Sequence, residues 1–194
     1  MTMGLAAGDC VLILLAAGRS VRFGDADKLQ QDFLGKPLAF HVVTALEDVP
    51  FKARLAVCSG SQLDFAARGY EVIHNDDPGD GMSGSVKLGV AVAREIGCAA
   101  VVIALADMPR VTATHVYRLL EAASGRDSVI ASSNGVHPTP PAVFGADQFE
   151  ALLTLEGDAG ARAMVRAGRH VIAPEAELLD IDRPEDLERL RALR

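Results

Sequence analysis

The sequence predicts an α/β fold in which helices cover a mainly parallel central sheet. Two runs, at residues 10–17 and 101–106, are almost continuously apolar, which is typical of central strands buried on both faces. Shorter strand-like and helix-like segments alternate along the rest of the chain, and this order predicts βαβ crossovers. The 194 residues are enough for one hydrophobic core, so we expect a single domain over residues 1–194.

Three shorter segments, at residues 53–59, 70–74 and 127–132, are further strand candidates. The longest polar, glycine-rich loop is at residues 74–84, and a proline-rich loop at residues 132–144 is the next. In open α/β sheets, ligands bind beyond the carboxyl ends of the strands. We therefore expect the functional site in the loops that follow the two strongest strands.

Three segments have the apolar periodicity of helices, at residues 83–96, 114–123 and 183–194. Pro184 and the acidic residues after it indicate the start of the last segment. Each segment places its apolar residues on one face, formed by Val86, Val90 and Ala93 in the first, by Val116, Leu119, Leu120 and Ala123 in the second, and by Leu187, Leu190 and Leu193 in the third.

Composition and charge limit the class of protein. The formal net charge of −7 argues against a binder of nucleic acid or of membrane surfaces, so an anionic ligand has to be held by local positive charge. Cys10, Cys58 and Cys98 form no CxxC pair and lie in or beside apolar runs, which predicts buried thiols in a reduced, cytoplasmic protein. The apolar run at residues 10–18 is far shorter than the roughly 20 residues of a membrane span. We also expect no secretion signal, because the first residues lack a basic leader.

A cluster of cations directly follows the first predicted strand, in the segment AAGRSVRFGDADK at residues 16–28. Arg19, Arg22 and Lys28 lie there among small residues and glycines. The segment has neither the GxxxxGK[ST] pattern of a Walker loop nor the GxGxxG pattern of a dinucleotide site. Small residues let backbone N–H groups approach a polyphosphate closely, and cations neutralise its charge. The alternative is an ordinary solvated connection with surface Arg and Lys residues.

This segment resembles the signature of the MobA-like nucleotidyltransferases, L-A-[AG]-G-x-S-x-R-M-G-x-x-K. Phe23 stands where the family usually has Met, and one extra residue precedes Lys28. The resemblance implies that the loop wraps the phosphates of a nucleotide, with Arg22 and Lys28 as catalytic cations. The nucleotide-binding residues that it implies in this segment are Leu15, Ala16, Ala17, Gly18, Arg19, Ser20, Gly24 and Lys28.

The segment ALADMP, at residues 104–109, places a single carboxylate at the end of the second apolar run. It resembles the family's L-x-D-M-P, which implies that Asp107 is catalytic, contacts the nucleotide and binds Mg²⁺. A carboxylate beside apolar surroundings favours a cation as its partner. The alternative is that Asp107 caps the next helix, although Thr112 or Thr114 can also do so.

The segment GMSGSVKLGV, at residues 81–90, resembles the family's G-[LM]-S-S-S-L-x-x-G. The resemblance implies a loop entering a helix, in which Ser83, Gly84 and Ser85 contact the nucleotide. Gly84 replaces the usual middle Ser, which removes one hydroxyl group. The alternative is that Ser83 or Ser85 caps the helix, whose N-terminus would also favour an anion.

The segment EGDAGARAMV, at residues 156–165, resembles the family's G-D-x-G-A-R. The resemblance assigns Asp158, Gly160 and Arg162 to the binding site of the acceptor. The alternative is an ion pair on a helix surface, because Asp158 and Arg162 are spaced i,i+4.

The segment TPPAVF, at residues 139–144, resembles the family's G-x-P-x-x-F only in part. Pro141 and Phe144 match, and the resemblance assigns them to the border of the acceptor pocket. Thr139 and Pro140 stand where the family usually has Gly-His, so this segment carries the weakest inference about the acceptor.

The segment DIDRPEDL, at residues 180–187, resembles the family's D-I-[DN]-T-P-E-D-L. The resemblance implies that Asp182 is the second Mg²⁺ ligand beside Asp107. The residues themselves leave Asp180 and Asp182 open as alternatives, because strand alternation allows either to face the site.

Apart from the partly matching segment at residues 139–144, five motifs occur in the family's order, and together they imply a Rossmann-like three-layer domain of the nucleotide-diphospho-sugar transferase type. They imply that an acceptor phosphate attacks the α-phosphorus of a nucleoside triphosphate and releases pyrophosphate. A phosphate monoester is largely dianionic near neutrality, since its second pKa is about 6, so no strong general base is required. The histidines share no ligand spacing, and most of them are expected on the surface or on helices; they are His41, His74, His115, His137 and His170.

The L-A-A-G sequence resembles the family's cytidylyl branch, whereas the guanylyl branch more often reads L-A-G-G. The methyl group of Ala17 narrows the space beside the base, which favours a pyrimidine. The resemblance therefore implies transfer of CMP from CTP to the terminal phosphate of molybdopterin. The alternatives are a small sugar- or polyol-phosphate acceptor, the use of GTP, and a non-catalytic chaperone that inserts the cofactor into an apo molybdenum hydroxylase.

Overall fold

The computed structural model describes residues 4–18, 23, 27–77, 79, 81–157 and 161–192 of the chain. The strands of these residues are β1 (Cys10–Ala16), β2 (Asp32–Phe33), β3 (Lys36–Pro37), β4 (Ala53–Cys58), β5 (Glu71–His74), β6 (Ala100–Leu105), β7 (Val129–Ser133), β8 (Pro138–Gly145) and β9 (Arg169–Ile172). The helices are α1 (Ala39–Ala45), α2 (Gly81–Ile96), α3 (Ala113–Ala122), α4 (Phe149–Leu153), α5 (Arg162–Ala167) and α6 (Pro184–Ala192). None of the helices described is both long and apolar enough to cross a lipid bilayer.

Seven of these strands form one sheet in the order β5-β4-β1-β6-β8-β7-β9. β1 is parallel to β4 and β6, β4 to β5, and β7 to β9. β8 is antiparallel to both of its neighbours, β6 and β7. The predicted α/β fold with a mainly parallel sheet is therefore confirmed. The two strongest strand candidates, β1 and β6, lie side by side in the middle of the sheet.

The continuous apolar run of β1 is explained by burial on both faces of the sheet. Every residue of β1 is buried. Leu12 and Leu14 belong to the apolar cluster that contains α1 and α3 residues, whereas Ile13 and Leu15 belong to the cluster that contains α2 residues. Gly89 allows α2 to lie close to the sheet, because a Cβ atom there would be only 2.6 Å from Cγ2 of Ile13. The arrangement has the three layers that were expected.

The predicted elements lie within two residues of the observed bounds, which is the usual precision at element ends. Three short helices, α1, α4 and α5, and three strands, β2, β3 and β9, are not predicted. The unpredicted helices have five to seven residues, too few to show a clear periodicity.

The expectation of a loop at residues 132–144 is wrong, because β8 occupies its second half. Prolines in this segment argue against a central strand, since proline has no N–H group to donate. The structure accommodates Pro138 and Pro140 because β6 pairs with β8 only from Ala142 onward. The register with β7 also shifts between Ala131 and Ser132. The prolines therefore lie where β8 has a partner strand on one side only.

The C-terminal helix packs beside the edge at which β1 and β6 end. A third apolar cluster joins the β2–β3 hairpin, α6 and the segment before α6. Its buried members are Phe33, Leu38, Ile181, Leu187 and Leu190. Because this cluster fixes Ile181, it also fixes the positions of Asp180 and Asp182 on either side of that residue.

Candidate active site

The carboxyl ends of β1 and β6 bring two of the sequence motifs to one edge of the sheet. Leu15 of β1 is paired with Leu105 of β6, and the Ala106 N–H donates to the Leu15 carbonyl at 3.0 Å. The residues that follow each strand, Gly18 on one side and Asp107 on the other, therefore begin at the same edge. This is the place that the strand-end rule for α/β sheets predicts.

Lys28 joins three separate segments of the chain at this edge. Its Nζ atom lies 2.5 Å from Oδ2 of Asp107 and 3.3 Å from Oδ1 of Asp182. The same Nζ donates a hydrogen bond of 3.0 Å to the Ile181 carbonyl. Lys28 is only 7% exposed, so the interaction is strengthened by the exclusion of water. The Asp27 side chain accepts from the Leu29 N–H at 2.9 Å and caps the 3₁₀ turn that carries Lys28.

The C-terminal segment is attached to the end of β6 by backbone hydrogen bonding. The Ile181 N–H donates to the Asp107 carbonyl at 3.0 Å. The Asp186 carboxylate accepts from the N–H groups of Asp182 and Arg183, at 3.1 and 2.8 Å, and so caps α6. These bonds place Asp182 next to Lys28 even though 154 residues separate them in sequence.

Three carboxylates share the charge of this one ammonium group. Burial raises the pKa of Asp107, and the neighbouring charge of Lys28 opposes this increase only in part. The pKa of Asp180 is raised by burial and by the negative charges of Asp107 and Asp182. Burial would lower the pKa of Lys28, but the two aspartates that it contacts outweigh burial and raise it. The described site is therefore rich in negative charge, which favours a further cation.

Asp107 does not act as a helix cap. Helix α3 is capped by Thr112, whose Oγ1 accepts from the His115 N–H at 3.1 Å, as one of the two expected threonines. The Oδ1 atom of Asp107 is buried and has no hydrogen-bond partner among the described residues. Within those residues, no three His, Cys, Asp or Glu side chains form a ready-made metal cluster.

A cavity of about 410 Å³ opens beside these aspartates. Asp107, Asp180 and Asp182 line one part of it, and the predicted residues Leu15, Phe144 and Arg162 also line it. Other lining residues were not predicted as part of the site, among them His137 and Arg166. Helical spacing from Arg162 could have indicated Arg166, which lies four residues further on.

The predicted phosphate loop is described at its two ends and at Phe23. Leu15 and Ala16 are buried, Ala17 is half-buried and Gly18 is exposed. A Cβ atom on Gly18 would meet nothing within 4 Å, so the backbone there is open to a ligand. Six predicted site residues lie outside the described residues: Arg19, Ser20, Arg22, Gly24, Asp158 and Gly160. The alternative ion pair between Asp158 and Arg162 lies outside them as well.

The segment at residues 81–90 is helical from its first residue, which corrects the expectation of a loop entering a helix. Ser83 and Ser85 lie inside α2 and do not cap it. Ser83 Oγ donates to the Gly157 carbonyl, and Ser85 Oγ accepts from Asn75 Nδ2 at 3.0 Å. Both serines are buried, so their hydroxyl groups hold neighbouring loops. A contact of Ser83, Gly84 or Ser85 with a nucleotide stays a prediction.

A buried chain of hydrogen bonds supports the proline-rich wall of the cavity. His115 Nε2 lies 2.7 Å from Ser132 Oγ, which in turn donates to the Pro141 carbonyl at 2.7 Å. The donation by Ser132 requires His115 Nε2 to carry its proton. His115 Nδ1 is buried and has no partner among the described residues. The neutral tautomer of His115 therefore fits this position, and a second proton does not.

Replacing His115 by Asn is expected to remove one component of the pH dependence of stability. Burial lowers the pKa of His115 below its ordinary value of 6.5, with Arg118 acting in the same direction and Glu177 against it. The unfolded chain therefore binds more protons as the pH falls below 6.5, and His115 loses its stabilising effect there. Urea unfolding is measured at several pH values from 8 to 5. At pH 8 the free energy of unfolding of wild type should exceed that of the variant by about 1–3 kcal/mol. That difference should decrease below pH 6.5, and a constant difference would contradict the assignment. Burial also lowers the pKa of His41. Because His41 is present in both proteins, its contribution cancels in the difference between their free energies of unfolding.

The cysteines are buried and free, as the sequence predicts. Burial raises the pKa of Cys10 to about 12 and that of Cys58 to about 11. Burial also raises the pKa of Cys98. These thiols stay protonated near neutrality, so none of them is suited to act as a nucleophile.

The order of motifs and their meeting at one sheet edge agree with a comparison against protein families. The model of the MobA-like NTP transferase domain matches residues 12–172. The chain belongs to the MobA-like NTP transferase family. The matched range contains Lys28 and Asp107, whereas Asp182 lies beyond it.

Curated relatives of this MobA-like protein include molybdenum cofactor guanylyltransferases. The one from Cereibacter sphaeroides is 33% identical over 191 residues, covering 93% of this chain and 95% of that protein. The one from Pseudomonas putida (strain GB-1) is 31% identical over 135 residues, covering 68% and 67%. The purine catabolism protein PucB of Bacillus subtilis (strain 168) is 33% identical over 121 residues, covering 59% and 58%.

Solved structures share the fold. A homologue of Mycobacterium tuberculosis Rv0371c from Mycobacterium sp. strain JC1 is 25% identical, with a TM-score of 0.79 and coverage of 95% of this chain and 96% of that chain. A nucleotidyl transferase from Methanothermobacter thermautotroptrophicus is 21% identical, with a TM-score of 0.78 and coverage of 94% and 96%. The expected nucleotidyltransferase fold is thereby confirmed.

Proposed function

We propose that this MobA-like protein transfers CMP from CTP to the terminal phosphate of molybdopterin and releases pyrophosphate. The observation that carries the proposal is the cluster of Lys28, Asp107 and Asp182, which lies at the sheet edge where the glycine-rich loop begins. A buried cation among carboxylates, beside an exposed Gly18 backbone, suits a triphosphate and the metal that accompanies it. Membership of a nucleotidyltransferase family supports the same reaction class.

Mg²⁺ is the proposed cofactor, with Asp107 and Asp182 as its ligands. Carboxylate oxygens are the donors that Mg²⁺ prefers, and Asp107 Oδ1 is a buried carboxylate oxygen without a partner among the described residues. The position of Lys28 between the two carboxylates supports this, because it shows a cation held there. Asp180 lines the same cavity and is the alternative second ligand. Bound there, Mg²⁺ would offset phosphate charge during the transfer.

The residues of the chain act mainly by positioning and by charge. The backbone at Ala17 and Gly18 receives the triphosphate, and Lys28, together with Arg22, offsets the charge of the departing pyrophosphate. Because Lys28 is paired with Asp107 and Asp182 in this structure, we propose that it moves from these carboxylates to the phosphates when the nucleotide binds. The acceptor phosphate is already an anion, so no side chain has to remove a proton from it. Pro141, Phe144, Asp158, Gly160 and Arg162 are the proposed acceptor residues.

The choice of nucleotide depends on two observations that point in different directions. Ala17 carries a methyl group beside the proposed base site, which favours the smaller pyrimidine base of CTP. The curated relatives named guanylyltransferases favour GTP as the second candidate. A titration with each nucleotide separates the two.

CTP with Mg²⁺ is expected to raise the melting temperature of the protein more than GTP does at equal concentration. A ligand that binds the folded state stabilises it by RT ln(1 + [L]/Kd), so the tighter nucleotide gives the larger shift. Ala17→Gly is the matched variant, and loss of the methyl group should reduce the preference for CTP by roughly tenfold. A larger shift with GTP in the wild type would reverse the assignment of the nucleotide.

Pyrophosphate release tests catalysis itself. With nucleotide, Mg²⁺ and molybdopterin present, the proposed enzyme releases pyrophosphate in proportion to the nucleotide transferred. A chaperone that only delivers the cofactor to an apo molybdenum hydroxylase releases none. A sugar- or polyol-phosphate in place of molybdopterin tests the remaining acceptor alternative.

A further inference from the structure

The cavity wall contains two arginines, Arg162 and Arg166. Both line the cavity, and among the described residues neither forms an ion pair or a hydrogen bond. Arg68, Arg94 and Arg126 are each paired with a carboxylate instead. A guanidinium group that lines a cavity and has no carboxylate partner there can bind an anionic ligand, and its planar set of donors suits a phosphate.

Helical spacing places the two arginines on one face of α5. Arg162 and Arg166 are separated by one turn of α5, so they extend from the same face of the helix. Val165, on the adjoining part of that face, is buried and lines the same cavity. The helix is thus fixed by an apolar anchor, and its two arginines are left available to a ligand.

The arginine pair lies on the side of Asp107 away from the nucleotide loop. The order of strands is β1-β6-β8-β7, and α5 packs against β8 and β7. Gly18 follows β1, and Asp107 follows β6. Across the sheet, the nucleotide loop therefore comes first, Asp107 lies next to it, and the two arginines lie beyond Asp107. In phosphoryl and nucleotidyl transfer the attacking and leaving groups are roughly in line on opposite sides of the phosphorus. A triphosphate on the β1 side leaves the β8–β7 side to the attacking group.

We infer that Arg162 and Arg166 together form a clamp for the phosphate monoester of the acceptor. The inference rests on the proposed function for the direction of transfer, and it adds Arg166 to the motif residue Arg162. Two planar guanidinium forks match the three oxygens of a dianionic phosphate. The adjacent Phe144 and Val165 give the cavity an apolar wall for the body that carries this phosphate. The acceptor class is therefore a compact phosphate monoester with an apolar face.

Phenyl phosphate is the probe for this clamp, because it joins a dianionic phosphate to a flat apolar ring. Its affinity is measured by protein-observed NMR titration of the full chain, with saturating nonhydrolysable CTP and Mg²⁺ present to occupy the nucleotide site. Arg166→Gln and Arg162→Gln are each expected to weaken phenyl phosphate binding by about tenfold or more, because a charge-assisted hydrogen bond is lost. Arg166→Lys keeps the positive charge but loses the planar pair of N–H donors, so it should weaken phenyl phosphate binding less than Arg166→Gln does.

Arg118→Gln is the matched control, since Arg118 is an exposed helical arginine outside the cavity lining. It should leave phenyl phosphate affinity within about twofold. The affinity for the nucleotide, titrated separately, should change by less than about twofold in the Arg166 variants. Equal phenyl phosphate affinity in wild type and Arg166→Gln, or no binding by wild type, would overturn the clamp while the proposed function stands. Weaker nucleotide binding by Arg166→Gln would mean that Arg166 belongs to the nucleotide site, which would overturn the clamp. If no nucleotide binds and no pyrophosphate is released, the proposed function fails, and titration without nucleotide still decides whether the clamp exists.

Discussion

Replacing Lys28 by Met is expected to lower the turnover number for pyrophosphate release by about 10²-fold or more. The Lys28 ammonium lies 2.5 Å from Asp107 Oδ2 and 3.3 Å from Asp182 Oδ1, and only 9% of the Lys28 side chain is exposed. Met has a similar length but no charge, so the departing pyrophosphate loses one compensating cation. Initial rates at saturating CTP, Mg²⁺ and acceptor measure the effect.

Lys52→Met is the control for the loss of a lysine elsewhere. Lys52 is exposed and lies just before β4, at the opposite end of the sheet, where it donates to the Gly97 carbonyl at 2.7 Å. Surface substitutions usually change stability by less than about 0.5 kcal/mol, so this variant should keep turnover within about twofold. Circular dichroism shows whether both variants are folded. A folded Lys28→Met protein with the turnover of wild type would remove Lys28 from the catalytic residues.

The parts of the fold that the sequence predicts are those in which burial leaves a simple pattern. β1 and β6 are covered on both faces, so their sequences are apolar throughout and identify the centre of the sheet. The carboxyl ends of parallel neighbours meet at one edge, so the nearness of Asp107 to the first loop follows from topology. β8 could not be predicted in this way. Its prolines are tolerated because β6 leaves that end of β8 unpaired, which is a property of the assembled sheet.

The contacts inside the site depend on the course of the loops, which a sequence pattern does not encode. The motif at residues 16–28 indicates a cation at Lys28, but the ion pairs of Lys28 with Asp107 and Asp182 span 79 and 154 residues of sequence. The motif around Ser83 similarly suggests hydroxyl groups that face a ligand. In the structure, the Ser83 and Ser85 hydroxyl groups are hydrogen-bonded to Gly157 and Asn75, contacts that the motif does not indicate.

Asp107→Asn is expected to lower turnover by about 10²-fold or more as well, because it removes a charge from the proposed Mg²⁺ ligand set. Asn keeps the shape of the side chain and one of its oxygens, so the fold should persist.

Asp182→Asn and Asp180→Asn identify the second ligand, since only the variant of a true ligand should raise the Mg²⁺ concentration needed for half-maximal pyrophosphate release. Asp147→Asn, at an exposed aspartate paired with Arg126, is the control that should leave this concentration unchanged.

The stability of the Asp107 and Lys28 variants should differ even where their activities are equally low. Removing one partner of a buried ion pair is destabilising by about 3–5 kcal/mol, because the other charge stays buried. Lys28→Met leaves the Asp107 carboxylate, whose pKa burial already raises, without its cation. Asp107→Asn leaves Lys28 with the Asp182 carboxylate and the Ile181 carbonyl, so it should be the less destabilising change.

In urea unfolding, the double variant Lys28→Met/Asp107→Asn should be more stable than the sum of the single changes predicts. Strictly additive changes in the free energy of unfolding would mean that the two side chains do not interact in solution, and the proposed active site would lose the contact on which it is built.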